Sequence, residues 1–122
     1  MNEDERKILT LRFVVVSLLF LGLGGIEGVM MRGRVDNLDV PLLGLDPQHF
    51  YAMLTAHPFV LIYGFAYMAV MGAFYFLVPY VLGRDIYSKR TATASFWLMI
   101  VGVMMVWTTS FVTHYAPLYT LY

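Results

Sequence analysis

Cysteine is absent from these 122 residues, so disulfides, Cys-ligated iron–sulfur clusters and a dinuclear thiolate copper site are excluded within them. Charge is scarce: Asp, Glu, Lys and Arg make up 13% of the chain, against about a quarter in soluble domains. Eight basic residues balance eight acidic ones, so no basic excess exists to hold a nucleic acid. Histidine occurs three times only, at His49, His57 and His114. No phosphate-binding loop, nucleophile triad or close carboxylate pair stands out, and no internal repeat is evident. The start, Met1-Asn2-Glu3-Asp4-Glu5-Arg6-Lys7, is acidic first, unlike a transit peptide, and no small-residue cleavage site follows the first apolar run.

What the chain has in abundance is apolar surface, 60% of its residues. A bilayer core about 30 Å thick takes about 20 apolar residues as helix. Three runs qualify, and spans are predicted at about 13–31, 50–82 and 94–112, in a single all-α membrane domain covering residues 1–122. The second is long for its task, roughly 50 Å as a helix, so it tilts or projects. The loop from Arg32 to His49 carries Asp36, Asp39, Pro41, Gly44, Asp46 and Pro47, and the loop from Gly83 to Thr93 carries Arg84, Lys89 and Arg90. With Arg6, Lys7 and Arg12 before the first span, the basic bias predicts the N-terminus inside and the C-terminus outside. Tyr115, Tyr119 and Tyr122 suit an outer aromatic belt.

His57 is the sharpest chemical feature. It lies about seven residues inside the second span, roughly 10 Å deep. Lipid offers no hydrogen bond, so the ring needs a protein group, a water or a metal. From the residues alone two readings stand open: a structural histidine bonded to a neighbouring helix, or an axial ligand of haem iron, a role that neutral imidazole suits. Val60, Leu61, Gly64, Phe65 and Met68 share its helix face, and Gly64 would let a flat macrocycle lie close. Pro58 removes a backbone hydrogen bond and crowds the Leu54 carbonyl, which predicts a kink. Glu27 is a carboxyl within the first span, open to snorkelling, to a bond with Arg32 or His49, or to a proton or quinone role. Gly24 and Gly28 have the small-xxx-small spacing of close helix packing, and Thr108, Thr109 and Ser110 read as helix glue or, alternatively, a proton path. His114 reads as a solvated histidine, and the nine methionines and many aromatics as packing.

The stretch Asp46-Pro47-Gln48-His49-Phe50-Tyr51-Ala52-Met53-Leu54-Thr55-Ala56-His57-Pro58-Phe59 resembles the start of helix II in subunit I of the haem–copper oxidases. There a Thr-Ala-His motif supplies one axial ligand of the low-spin haem. Phe76-Leu77-Val78-Pro79 with Gly83, then Ser95-Phe96-Trp97-Leu98, resembles the end of helix II and the start of helix III, and Tyr119-Thr120-Leu121-Tyr122 resembles the segment after it, leaning toward the B-type branch. The resemblance covers most of residues 12 to 122. It departs at Pro58, where Gly or Ala is common. It departs again at Arg90-Thr91-Ala92-Thr93-Ala94, which lacks the asparagines that accompany an aspartate such as Asp85 in A-type proton channels.

The resemblance implies that His57 ligates haem iron, that Arg32 or Arg34 contacts the haem, and that Gly64 and Phe65 line it. It implies a larger helical bundle. The second low-spin ligand, the high-spin haem and the copper histidines then lie on a partner chain carrying the remaining helices of a split subunit I, beside a subunit II-like protein. Such a complex would reduce oxygen and pump protons in a prokaryotic plasma membrane. Its electrons would come from cytochrome c, from a copper protein, or from quinol held by Glu27, Arg32 and His49, since some members carry a histidine eight residues before the haem ligand. Two other readings remain: a nitric oxide reductase component, and a non-enzymatic structural or assembly subunit in which His57 only packs.

Overall fold

A computed structural model describes residues 1–35 and 47–113. The segments 36–46 and 114–122 lie outside the described residues, and with them His114, Tyr115, Tyr119 and Tyr122; so do the side chains of Arg34 and His49. The described chain forms α1 (Glu3–Val35), α2 (Pro47–Phe59), a π-helix (Val60–Tyr67), α3 (Met68–Leu82) and α4 (Lys89–Thr113). Helix α2, the π-helix and α3 run on as one rod. Three stretches are long and apolar enough to cross a membrane: Glu3–Gly33, Phe50–Leu82 and Lys89–Thr113. The protein is an all-α, multi-pass membrane protein.

Local chemistry sets the ends. The Asn2 side chain accepts from the Glu5 N–H at 2.8 Å, and the Glu5 carboxylate accepts from the Asn2 N–H at 3.3 Å, a reciprocal cap. Three acidic residues in the first turn suit the positive end of the helix dipole. Gly83, at φ 61°, ends α3 in the left-handed conformation that glycine adopts without strain. Five residues on, the Ser88 hydroxyl accepts from the Thr91 N–H at 3.3 Å and opens α4.

The three rods meet along one seam. Helix α1 runs antiparallel to the second rod, and at each level a glycine on one helix receives a bulky side chain from the other. A Cβ built on Gly72 would stand 2.7 Å from the Cβ of Phe13, and one on Gly64 would stand 2.7 Å from Cγ of Phe20. Further along the pattern inverts: Gly24 of α1 takes Leu61, and Gly28 takes His57. Phe13 anchors all three rods, fully buried, stacked on Tyr75 of α3 at 5.4 Å and edge-on to Phe96 of α4 at 5.1 Å. Tyr75 also shares a 2.8 Å hydrogen bond with Ser95.

At the N-terminal end of α1, ion pairs tie the rods. Arg6 meets Asp85 at 3.1 Å, and Lys89 pairs with Glu5. Away from the seam the surface is apolar: Leu19, Val29, Val81, Leu98 and Val112 are all exposed. Only 28%, 22% and 17% of the three apolar windows are buried. Most of each helix therefore faces outward, an arrangement suited to lipid or to further helices and not to water.

The discontinuity expected at Pro58 takes the form of the π-helix. Proline has no N–H to offer the Leu54 carbonyl, and from Val60 the backbone widens for eight residues before Met68 resumes the α-helix. Wide turns of this kind are rare and concentrate at functional positions.

Candidate functional site

The second rod presents His57 to α1. Its Nδ1 lies 2.8 Å from the carbonyl oxygen of Gly24. A carbonyl only accepts, so Nδ1 carries the proton and donates it, and Nε2 keeps a bare lone pair. Gly28, one turn on from Gly24, leaves a notch in α1 for the ring. A Cβ at position 28 would stand 3.2 Å from Cε1 of the imidazole. The ring is thus held in place, half-buried, with its tautomer set by the backbone of another helix.

Gly64, expected to lie beside a macrocycle, packs against α1. The open side of Gly64 is filled by the Phe20 ring, so the space expected for a macrocycle there belongs to α1. His57, Leu61 and Gly64 all face the α1 seam. Phe65, next to Gly64, is half-buried.

Glu27, one residue before Gly28, is 3% exposed. It does not snorkel, and Arg32 does not reach it; the side chain of His49 lies outside the described residues. Its Oε1 accepts from the indole Nε1 of Trp107 on α4, and its Oε2 is buried with no hydrogen-bond partner among the described residues. The reason is direction: at 100° per residue Arg32 lies about 140° around α1 from Glu27, and it is exposed. Trp107 is the functional neighbour that spacing alone missed. The available signal was chemical, since a buried indole donates only and seeks an acceptor, and Glu27 is the one acidic residue within the first apolar run.

The Glu27–Trp107 bond is open to a direct measurement. Trp107→Phe is expected to cost about 1 kcal/mol in the parent, the range found for hydrogen bonds between membrane helices, and close to nothing when Glu27 is already leucine. Equilibrium unfolding in mixed micelles of the four proteins in that cycle measures the coupling; equal costs in both backgrounds would mean that the bond contributes nothing.

Ser110 and Thr113 donate to the carbonyls of Val106 and Thr109, at 2.8 and 2.7 Å. The hydroxyl at Ser110 is thereby committed to its own helix backbone. Among the described residues no group of three or more His, Cys, Asp or Glu is placed to hold a metal ion.

Residues 8–122 match the family profile described as "Cytochrome C and Quinol oxidase polypeptide I". The chain belongs to the haem–copper oxidase subunit I family. Among its curated relatives, "Cytochrome c oxidase subunit 1" of Thermostichus vulcanus is 31% identical over 96 residues, which cover 77% of this chain and 17% of the relative. "Cbb3-type cytochrome c oxidase subunit CcoN1" of Stutzerimonas stutzeri is 33% identical over 96 residues, 78% of this chain and 19% of the relative. "Quinol oxidase subunit 1" of Bacillus subtilis is 30% identical over 102 residues, 83% of this chain and 15% of the relative. The subunit I segment described here thus spans less than a fifth of the length of these relatives. No solved structure matches the chain significantly.

Proposed function

We propose that these residues form the first three helices of subunit I in a respiratory terminal oxidase and supply, through His57 Nε2, one axial ligand of a low-spin haem. The observation that carries this reading is the Nδ1 bond to the Gly24 carbonyl, with the second nitrogen left as a donor. Metal-ligating histidines almost always give their other N–H to a carbonyl or carboxylate, which fixes the ring and raises its basicity. The residues therefore fit haem iron. The group, when bound, carries electrons one at a time toward the site of oxygen reduction.

This chain orients one imidazole, excludes water from one side of it with the buried Ala56 and Val60, and keeps the proton on Nδ1. A low-spin haem of this kind takes a second axial ligand, and among the described residues His57 is the histidine that lies within a span. The second ligand, the high-spin haem and the copper site belong to helices outside these 122 residues, on a partner chain of a split subunit I with a subunit II-like protein beside it. The basic residues on either side of the Arg6–Asp85 and Glu5–Lys89 ties favour an N-terminus facing the cytoplasm in a prokaryotic plasma membrane. Proton pumping, in a B-type complex, completes the proposal.

The electron donor divides into quinol, held by Glu27 with Arg32 and His49, and cytochrome c or a copper protein. The free Oε2 of Glu27 supports quinol, since a buried acceptor without a donor suits a hydroxyl group. Oxygen uptake by the purified complex tests this. With a short-chain quinol as donor, Glu27→Gln and His49→Ala are each expected to lower the rate at least tenfold and to leave oxidation of reduced cytochrome c unchanged. Unaltered quinol kinetics in both variants would assign the donor to a protein. A complex that consumes no oxygen with either donor would contradict the oxidase reading itself.

A further inference from the structure

Among the described residues, two grooves on the outward faces of the bundle bear on the choice of a ligand site. One, of about 350 Å³, is lined by Met71, Phe74, Tyr75, Val78, Pro79 and Ile86 and contains no charge that could select a ligand. The other, of about 450 Å³, runs between α1 and α4 and is lined by Leu11, Val15, Val16, Phe96, Trp97 and, alone in charge, Arg12. From that arrangement we propose that the second groove binds one anionic phospholipid, with the phosphate on the Arg12 guanidinium and an acyl chain laid along the apolar wall toward Val15 and Val16.

Charge complementarity carries this choice. Among the other basic residues of α1's first turns and of α4's start, Arg6 is paired with Asp85, Lys7 with Glu3 at 2.7 Å and Lys89 with Glu5, while Arg90 does not line the groove. Arg12 is exposed and has no carboxylate partner among the described residues. It stands one residue before the apolar run that begins at Phe13, the depth at which a guanidinium meets headgroup phosphate while its stem lies along hydrocarbon. Guanidinium and phosphate also match in shape, through paired N–H donors.

The walls suit a chain and not a second protein helix. Phe96 is buried against Phe13, so the floor is rigid. Trp97 is 56% exposed, packs edge-on against Phe96 at 5.3 Å and stands in the span's first turns, where amphipathic indoles collect at the headgroup boundary. Arg84 and Arg90, both exposed at the same end, add positive field without lining the groove. This site is independent of haem ligation by His57.

Native mass spectrometry tests it, on the protein purified in mild detergent with any chain that accompanies it. Dioleoylphosphatidylglycerol and dioleoylphosphatidylcholine are the two probes. The parent is expected to retain one phosphatidylglycerol with a preference of about fivefold over phosphatidylcholine, the effect of one basic residue at an anionic surface. Arg12→Gln is expected to abolish the preference, and Arg90→Gln to leave it within twofold. Val15→Trp, which fills the groove and keeps the charge, is expected to lower retention of both lipids. The proposal is overturned by a parent with no preference, by Arg12→Gln retaining it, or by Arg90→Gln losing as much as Arg12→Gln, which would mean a diffuse field and no site. Unchanged retention in Val15→Trp would remove the acyl-chain groove.

Discussion

Gly64→Leu is expected to prevent the three helices from assembling. The position has no room. A Cβ there would stand 2.7 Å from Cγ and 3.0 Å from Cβ of Phe20, and a leucine adds three further carbons in the same direction. Phe20 is 6% exposed and fixed in the seam, with the ring wedged between two helices. Overpacking a tight core commonly costs about 1–3 kcal/mol and sometimes more, and here the π-helix and α1 would both have to part. The expected readout is a membrane-inserted but protease-sensitive protein at a small fraction of the parental level. Phe20→Ala in the same chain removes the obstacle, so the double variant should recover part of the loss even though Phe20→Ala alone leaves a cavity costing about 3–5 kcal/mol. That sign reversal is the mark of a direct clash. Normal accumulation and protease resistance of Gly64→Leu would show that α1 does not pack against the second rod in this register.

The helices were legible because their cause is local. An unbroken run such as Phe13 to Met31 has one stable form in hydrocarbon, whatever it packs against. The turn at Gly83 was equally readable, since a glycine between an apolar run and a basic loop marks a helix end. Gly24 and Gly28 announced close packing by their spacing, and that is what they provide. The identity of the group filling their notch was not legible, because the ring of His57 arrives from a helix more than thirty residues away.

Three features stayed out of reach for a common reason. The π-helix after Pro58 is a response of the backbone to a missing donor, and the length of that response depends on packing beyond the proline. Gly64 shares the face of His57, but that face meets α1, so its glycine receives Phe20. Glu27 was left open between snorkelling, Arg32 or His49, and a proton or quinone role, and the donor that the structure brings to it, Trp107, lies 80 residues on, across the bundle. Periodicity tells which residues share a face. It does not tell which helix that face meets.

His57→Ala is the second large effect expected. The substitution removes the donor nitrogen and leaves the Gly24 carbonyl without its hydrogen bond, while the Gly28 notch stays open. Helix packing nearby rests on Leu61 in Gly24 and Phe20 on Gly64, so the rods should still assemble. The loss should therefore be confined to the cofactor. His49→Ala and His114→Ala serve as companions, because they remove an imidazole from the same protein without touching the notch.

The reduced-minus-oxidised absorption spectrum of the purified complex, recorded for these three variants beside the parent, tests the central claim. His57→Ala should lose the low-spin haem band and retain the helix content of the parent, while His49→Ala and His114→Ala keep the band. A His57→Ala complex with an unchanged low-spin band would contradict axial ligation by this imidazole and leave His57 as a packing residue.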